Sequence, residues 1–258
     1  MAWSATQYSL FEDERTRAVR DLLAAVPPRS VRHATDLGCG PGNSTEVLRI
    51  AYPDARVIAI DSDQDMIDKA RQRGRLSVPQ VLCQKGDIAT WQADEPQDLI
   101  LANASLQWIP DHSALYPRLL TQLSEGGSLA VQTPDNLEEP AHRQLREIAS
   151  SGPWAAKFAD FSLPPRHSAS FYYELLSGKC KRVDVWRTTY HHPLAGGAEA
   201  VVAWFKGSAL RPYLARLDDA EQADFLQLYL EAMQRDYPAS PDGKVLLPFP
   251  RLFVVATR

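Results

Sequence analysis

A glycine-rich segment near residue 40 carries the residue types best suited to holding a small molecule. It reads Asp36-Leu37-Gly38-Cys39-Gly40-Pro41-Gly42 and leads directly into a helical pattern. Glycines at alternate positions let the chain bend sharply and lie against a ligand, because no Cβ stands between the two. The segment therefore predicts a strand, a glycine turn that presents its amides to a ligand, and a helix capped by Asn43 or Ser44.

Two further acidic residues follow predicted strands. Arg56–Asp61 reads as a buried strand that ends in an acid, and Asp87 comes just after a third strand, Gln80–Lys85. The carboxyl ends of parallel strands meet at one edge of a sheet, where such folds bind ligands. Carboxylates at this edge, with no Gly-x4-Gly-Lys-Ser/Thr motif, argue against a phosphate cradle. S-adenosylmethionine has an ammonium, a sulfonium and a ribose but no phosphate, so it fits better than NAD or ATP.

Position along the chain assigns roles to these residues. Asp36 suits a cationic ligand group, Asp61 the ribose diol and Asp87 the exocyclic amine of adenine, although Asp87 could also be an ordinary turn residue. Asn103 leads into the loop 104–112, which contains Gln107, Trp108 and His112 and is predicted to line the pocket; a helix cap with a buried Trp is the alternative. The predicted cofactor contacts are Tyr8, Asp36, Gly38, Cys39, Gly40, Asn43, Asp61, Ser62, Met66, Asp87, Ile88, Asn103, Trp108 and His112.

Two of these residues, Met66 and Tyr8, could instead pack in the protein core without contacting a ligand. Met66 could pack on an adenine face, but a methionine on an amphipathic helix usually belongs to the core. Tyr8 lies in an aromatic arm ahead of the first helix, which could close over a cofactor or simply pack on the core. No metal site is predicted, because the adjacent His191 and His192 lie on a strand and point to opposite faces.

Alternation of strands and helices predicts the fold. The pattern is typical of an α/β fold with a doubly wound, mostly parallel seven-stranded sheet. A turn at Glu125-Gly126-Gly127 precedes the fifth strand, Ser128–Thr133, and the last strand is expected to be antiparallel. One compact domain is predicted, with an arm and helix at 1–30, a cofactor-binding core at 31–136, a helical lid inserted at 137–180, and further helices and strands that complete the sheet and substrate pocket at 181–258.

Composition limits the partners of the protein. The chain has 258 residues and a net charge of −4, with a pI near 5.9, so no electrostatic footprint for nucleic acid is present. Three cysteines without Cys-x-x-Cys spacing indicate neither a disulfide framework nor a zinc site. No apolar run approaches membrane-spanning length. The expectation is a cytoplasmic protein that is a monomer or a weak homo-oligomer.

Several motifs carry a family resemblance. The glycine segment with Asp61, Asp87-Ile88 and Asn103 resembles the class I S-adenosylmethionine-dependent methyltransferases. Within that class, further segments are similar to the trans-aconitate 2-methyltransferase family, over nearly the whole chain except 151–166. These segments are Asn103–Trp108, Gln132–Asn136, Trp186–Tyr190, Leu210-Arg211-Pro212 and Phe249–Phe253.

The resemblance implies methyl transfer to one carboxylate of trans-aconitate, with S-adenosylhomocysteine as the second product. A carboxylate is already ionised at neutral pH, so no general base and no catalytic residue is predicted; the protein positions the reactants. A tricarboxylate needs local donors in an acidic protein, and arginine can bind a carboxylate with two parallel hydrogen bonds. The predicted substrate contacts are Arg187, Arg211 and Arg251, with Tyr190, Trp108 and His112 as secondary candidates.

Two alternatives stay open at this stage. The chain could methylate another small carboxylic acid or an acyl-carrier-protein thioester, or it could be a subunit that binds the cofactor without turnover. An RNA methyltransferase is disfavoured by the charge.

Overall fold

The structure is a computed structural model that describes residues 12–164 and 166–258, and for residues 12–15 it describes the backbone only. Its centre is a seven-stranded sheet with the strand order β3-β2-β1-β4-β5-β7-β6. The strands are β1 His33–Leu37, β2 Arg56–Asp61, β3 Val81–Lys85, β4 Gln97–Asn103, β5 Leu123–Pro134, β6 Arg182–Leu194 and β7 Val245–Thr257.

Helices connect the strands. They are α1 Glu12–Ala24, α2 Asn43–Ala51, α3 Gln64–Gln72, α4 His112–Thr121, α5 Pro140–Ser151, α6 Ala169–Ser177, α7 Gly197–Lys206, α8 Arg211–Leu214 and α9 Asp219–Asp236. Single 3₁₀ turns lie at Leu106–Trp108 and Ala155–Phe158. Within the described residues, no helix is both long enough and apolar enough to cross a membrane.

Strand pairing confirms the predicted fold class. The strands β1 to β5 pair in parallel, and β7 pairs antiparallel with β5. The central strands β1 and β4 are buried at nearly every position, as expected when helices cover both faces of a parallel sheet. Parallel pairing brings the carboxyl ends of β1 to β5 to one edge, which we call the carboxyl edge.

The predicted turn at Glu125-Gly126-Gly127 is wrong. These residues lie inside β5, which begins at Leu123. The register against β4 is irregular between the pairs Gln97↔Leu123 and Leu99↔Ser128, so extra residues of β5 are accommodated as a bulge. A bulge keeps a strand in the sheet while using the same glycines that a turn would use.

The chain forms two compact units. The first comprises Asp135–Leu163 and Thr189–Pro250, and the second comprises Glu12–Pro134, Pro164–Thr188 and Arg251–Arg258. The segment 137–180, predicted as a lid, is thus divided between them. Its closure over a ligand stays a prediction.

An aromatic core stabilises the first unit. Trp154 is 1% exposed, and its ring lies 5.3 Å from that of Phe225 on α9. Its indole N–H donates to the carbonyl of Ile148 at 2.9 Å, so burial leaves no polar atom of the side chain unsatisfied. Because α9 packs against both α5 and α7, this ring supports the helical packing of the whole unit.

Replacing this ring should destabilise the protein strongly. Trp154→Ala is expected to lower the free energy of unfolding by about 3–5 kcal/mol, since a large cavity replaces a fully buried ring. Leu228→Ala is the control, because Leu228 on α9 is 44% exposed and should cost far less. Urea unfolding of both variants measures the difference, and equal losses would show that the aromatic core does not carry the stability.

Candidate functional site

Three strand ends converge on Gly38. Its amide and that of Cys39 donate to the carbonyl of Ile60 at 2.8 and 2.9 Å, which ties the glycine turn to β2. The hydroxyl of Ser105, beyond the end of β4, donates to the carbonyl of Leu37 at 2.5 Å. A Cβ on Gly38 would stand 2.2 Å from the Ser105 Cβ and 3.4 Å from the Ile88 Cδ1. The sheet thus closes around a position that only glycine can occupy.

The glycine turn uses its amides differently from the prediction. The Gly40 amide donates to Asp61 Oδ2 at 2.9 Å, and the Gly42 amide donates to the Cys39 carbonyl. Together with the bonds of Gly38 and Cys39 to Ile60, these contacts leave the turn amides satisfied inside the protein. What the glycines offer a ligand is close approach to the backbone, because they lack side chains.

Asp36 is fully buried at the end of β1. Its Oδ2 accepts hydrogen bonds from the hydroxyls of Ser44 and Thr45, both at 2.7 Å. Its Oδ1 is buried and has no partner among the described residues. Burial raises the pKa of this carboxyl to about 6, against the lowering effect of the two hydroxyls, and Asp61 adds to the rise. At neutral pH a negative charge therefore lies in the protein with one oxygen open to a donor.

The start of α2 differs from the prediction. Gly42, not Asn43 or Ser44, is the N-cap residue; it has φ 93° and no side-chain cap. The Ser44 hydroxyl bonds to Asp36 instead, inside the first turn of the helix. The cause is a tertiary contact. Leaving the buried carboxylate of Asp36 without hydrogen-bond donors would cost more free energy than leaving the helix end without a side-chain cap.

Asp61 and Asp87 lie at the ends of neighbouring strands. Asp61 accepts from Gly40 and, through Oδ1, from the Asp63 amide at 2.9 Å. The Gly86 amide donates to the Asp61 carbonyl at 3.0 Å, so the chain leading to Asp87 is held beside Asp61. Asp87 is exposed and accepts from the Ala89 amide. The structure thus places all three acids at the carboxyl edge, as the sequence predicted.

Buried acceptor atoms without partners mark this edge. Asp36 Oδ1, Asn43 Oδ1 and Asn103 Oδ1 are all buried and have no hydrogen-bond partner in the part of the chain that the structure describes. A buried acceptor that lacks a donor costs about 1–3 kcal/mol, so such atoms are rare in stable proteins. Their concentration here indicates a ligand rich in donors, such as an ammonium group or hydroxyls.

The loop after β4 places Trp108 and His112 in different environments. Trp108 is 53% exposed, so its ring is available for stacking. His112 is buried, with Nε2 2.9 Å from the Leu106 carbonyl and Nδ1 2.7 Å from the Tyr172 hydroxyl. Since a carbonyl only accepts, Nε2 carries the proton and Nδ1 accepts from Tyr172. Burial lowers the pKa of His112. Both ring nitrogens are therefore engaged within the protein, and His112 supports the loop; its contact with a ligand stays a prediction.

The remaining predicted cofactor contacts are less distinctive. Cys39 packs in a core cluster with Ile67 and Cys83, and its thiol donates to the Gly40 carbonyl at 3.5 Å. Met66 is 4% exposed, whereas Ser62 is exposed. Ile88 lies beside Gly38, as described above. Tyr8 lies outside the described residues.

The predicted substrate contacts fall in both units. Arg251 is 3% exposed, and its Nη1 donates to Gln132 Oε1 at 2.7 Å. Arg187 is exposed on β6, next to Trp186, which stacks on Phe253 at 4.8 Å. These residues belong to the second unit, whereas Tyr190 and Arg211 belong to the first. Tyr190 is buried and Arg211 half-buried. A shared site for all four stays a prediction.

Sequence reasoning missed Ser44, Thr45, Ser105 and Gln132. Ser44 and Thr45 lie eight and nine residues after Asp36, and hydroxyl residues at the start of the helix that follows a glycine turn are a usable signal. Ser105 lies in the loop predicted to line the pocket, but no local signal shows that its hydroxyl bonds to the Leu37 carbonyl. Gln132 belongs to one of the family motifs, but nothing in a strand sequence alone shows which of its residues meets a buried partner such as Arg251.

A groove lies at the opposite edge of the sheet. This groove of about 620 Å³ is lined by residues such as Leu123, Lys181 and Arg258. It contains none of the predicted contacts. We place the site at the carboxyl edge because ligands of open α/β sheets bind there and because the partnerless buried acceptors lie there.

Comparison with known proteins agrees with this geometry. A family model described as a methyltransferase domain matches residues 30–175. The trans-aconitate 2-methyltransferase of Rhizobium etli is 50% identical over 260 residues, which covers 100% of both chains. The enzyme of the same name from Yersinia pestis is 48% identical over 256 residues, covering 98% of this chain and 97% of its own. This chain belongs to the trans-aconitate 2-methyltransferase family.

Solved structures show the same fold at low sequence identity. The YcgJ protein of Bacillus subtilis is 13% identical with a TM-score of 0.60, over 94% of this chain and 98% of its own. A coclaurine N-methyltransferase, bound to N-methylheliamine and SAH, is 13% identical with a TM-score of 0.58, over 95% of this chain and 71% of its own.

Adding a methyl group at Gly38 should disrupt the site. Gly38 has φ +77°, and a Cβ added there would overlap the side chain of Ser105, so Gly38→Ala is expected to cost about 2–5 kcal/mol from backbone strain and overpacking together. Cofactor affinity should fall with it. Gly74→Ala is the control, since a Cβ there meets nothing within 4 Å. Unfolding and calorimetric binding measure both effects; a Gly38→Ala protein that matches the control would refute the close approach.

Burial of Asp36 should make stability depend on pH. Its pKa is about 6 in the folded protein and 3.8 in the reference state, so the folded state holds the proton more tightly. Its contribution to stability is complete below pH 3.8 and is lost as the pH rises through 6, by about 3 kcal/mol in total. Asp36→Asn removes this dependence. The difference in unfolding free energy between wild type and variant should therefore fall between pH 4 and 7, and parallel curves would contradict the assignment.

Proposed function

We propose that this protein transfers the methyl group of S-adenosylmethionine to a carboxylate of trans-aconitate, forming a monomethyl ester and S-adenosylhomocysteine. The observation that carries the proposal is the set of partnerless buried acceptors around the glycine turn. It is supported by relatives of that name at 48–50% identity over essentially the full chain.

The cofactor fits the donor and acceptor pattern of the carboxyl edge. Asp36, ionised at neutral pH, is suited to the ammonium group, and Asp61 and Asp87 are suited to the ribose hydroxyls and the adenine amine. Asn43, just after the glycine turn, and Asn103, at the end of β4, offer further buried acceptors. A phosphate group would meet these oxygens unfavourably, which disfavours NAD and ATP. Trp108 offers an exposed ring to either reactant.

Cationic residues are proposed to hold the substrate. Trans-aconitate carries up to three negative charges, while the protein carries a net charge of −4. The proposed contacts are Arg251 and Arg187, together with Arg211 and Tyr190. Arginine suits this role because its planar fork matches carboxylate geometry.

Positioning accounts for the chemistry of the proposed reaction. When bound, the cofactor supplies an electrophilic methyl group on a sulfonium. The substrate carboxylate is already ionised, so the protein need not remove a proton. Its task is to hold the nucleophilic oxygen in line with the methyl carbon, and such orientation can supply about 7–11 kcal/mol of barrier reduction. Opposite charges neutralise as the oxygen attacks, so excluding water favours the transition state.

We further propose a cytoplasmic location and a monomer or weak homo-oligomer. The three cysteines, Cys39, Cys83 and Cys180, are free, which suits a reducing compartment.

Product mass tests the proposed function directly. Incubation of the protein with trans-aconitate and S-adenosylmethionine should produce a compound heavier than trans-aconitate by one methylene. Other small dicarboxylates and an acyl-carrier-protein thioester serve as competing substrates. Faster methylation of one of those compounds would show that it, and not trans-aconitate, is the substrate. Binding of the cofactor without formation of any product would show a subunit that binds the cofactor without catalysis.

Removing Asp61 should weaken cofactor binding. Asp61→Ala deletes the proposed ribose acceptor and the hydrogen bond that holds Gly40, so the dissociation constant of S-adenosylhomocysteine should rise about 10- to 100-fold. Asp54→Ala removes an exposed carboxylate before β2 and controls for the lost charge. Titration calorimetry measures both, and equal affinities would remove Asp61 from the site.

A further inference from the structure

Gln132 and Arg251 form a buried pair at the carboxyl edge. Gln132 is 0% exposed on β5 and Arg251 is 3% exposed on β7. Arg251 Nη1 donates to Gln132 Oε1 at 2.7 Å. Since the amide is neutral, the pair carries one net positive charge.

The arginine determines which way the amide points. A guanidinium group has only donors, so it must face the carbonyl oxygen of the amide and not the nitrogen. Gln132 Nε2 therefore points away from Arg251. This nitrogen is buried and has no hydrogen-bond partner among the residues that the structure describes. A buried N–H without an acceptor is unfavourable unless something outside the chain supplies one.

Strand register places the pair on the same face as the cofactor acceptors. Gln132 is the register partner of Asn103, and Pro134 that of Arg251. On β1, Asp36 is paired with Leu101, two residues before Asn103. Paired residues, and residues two apart on a strand, share a face of the sheet. Asp36, Asn103, Gln132 and Arg251 therefore share one face, with acceptors on β1 and β4 and donors on β5 and β7.

We propose that Gln132 Nε2 donates a hydrogen bond to a carboxylate of the substrate, with Arg251 holding the amide in the orientation that allows it. This inference rests on the proposed function and adds a residue that determines substrate affinity. The unoccupied donor and the positive charge beside it are complementary to an anion, whereas the neighbouring acceptors are complementary to the cationic cofactor. An internal water molecule bonded to Nε2 is the competing explanation, and it predicts no effect on the substrate.

A matched pair of variants tests the proposal. Gln132→Met removes the amide group while keeping much of the length of the side chain. Gln97→Met makes the same change at the start of β4, the neighbouring strand. Gln97 is 2% exposed, accepts from Thr35 Oγ1 at 2.8 Å and donates to the Glu95 carbonyl. It therefore reports the general cost of losing a buried amide.

The measurements are KM and kcat for trans-aconitate and the dissociation constant of S-adenosylhomocysteine. Gln132→Met should raise KM about 10- to 100-fold, the effect of one hydrogen bond to a charged group, with kcat and cofactor affinity near wild type. Gln97→Met should leave all three near wild type. An equal KM in Gln132→Met and Gln97→Met would overturn the role of Gln132 and support a bound water. In that case the proposed function would still stand as long as the wild-type protein methylates trans-aconitate.

A second variant guards against a folding defect. Gln132→Glu keeps an acceptor for Arg251 but replaces the donor with a negative charge. Its KM should exceed that of Gln132→Met because the charge repels the substrate, and calorimetric binding of S-adenosylhomocysteine verifies that the protein is folded. A wild-type KM in Gln132→Glu would refute the proposal. Absence of trans-aconitate turnover in the wild type would instead refute the proposed function, and this inference with it.

Discussion

The buried carboxylate of Asp36 is the interaction on which the carboxyl edge depends. A charge with no exposure must be compensated, and the hydroxyls of Ser44 and Thr45 compensate one of its oxygens. Those bonds attach the first turn of α2 to the end of β1 and so determine the course of the glycine turn between them. The second oxygen stays open to a donor. This open oxygen lies where the cationic group of the cofactor is proposed to bind.

The carboxyl edge separates its polar groups by chemical type. At the ends of β1, β3 and β4 the buried partnerless or exposed atoms are acceptors, from Asp36, Asp87 and Asn103. On β5 and β7 the paired side chains present donors, the amide nitrogen of Gln132 and the guanidinium group of Arg251. Methyl transfer from a sulfonium to a carboxylate brings a cation and an anion together, so a protein needs such a division to hold each reactant on its own side. Opposite placement would attract each reactant to the wrong position.

Local patterns predicted most of the fold. Alternating strands and helices, the acid at the end of β2 and the glycine turn are properties of short segments, and the predicted seven-stranded, mostly parallel sheet is confirmed. The failures have tertiary causes. Ser44 does not cap α2 because a carboxylate eight residues earlier captures its hydroxyl. Glu125-Gly126-Gly127 forms no turn because β4 offers it a place in the sheet as a bulge.

By itself, the sequence determined the fold class, the family, and the three acids that end neighbouring strands, because each depends on residue types at short spacing. Only the tertiary structure decided which polar atoms are already satisfied. One ring nitrogen of His112 bonds to Tyr172, sixty residues later, and the amide of Gln132 is oriented by Arg251, 119 residues later. Hydrogen-bond partners distant in sequence are brought together by strand order and packing, and no local pattern records them.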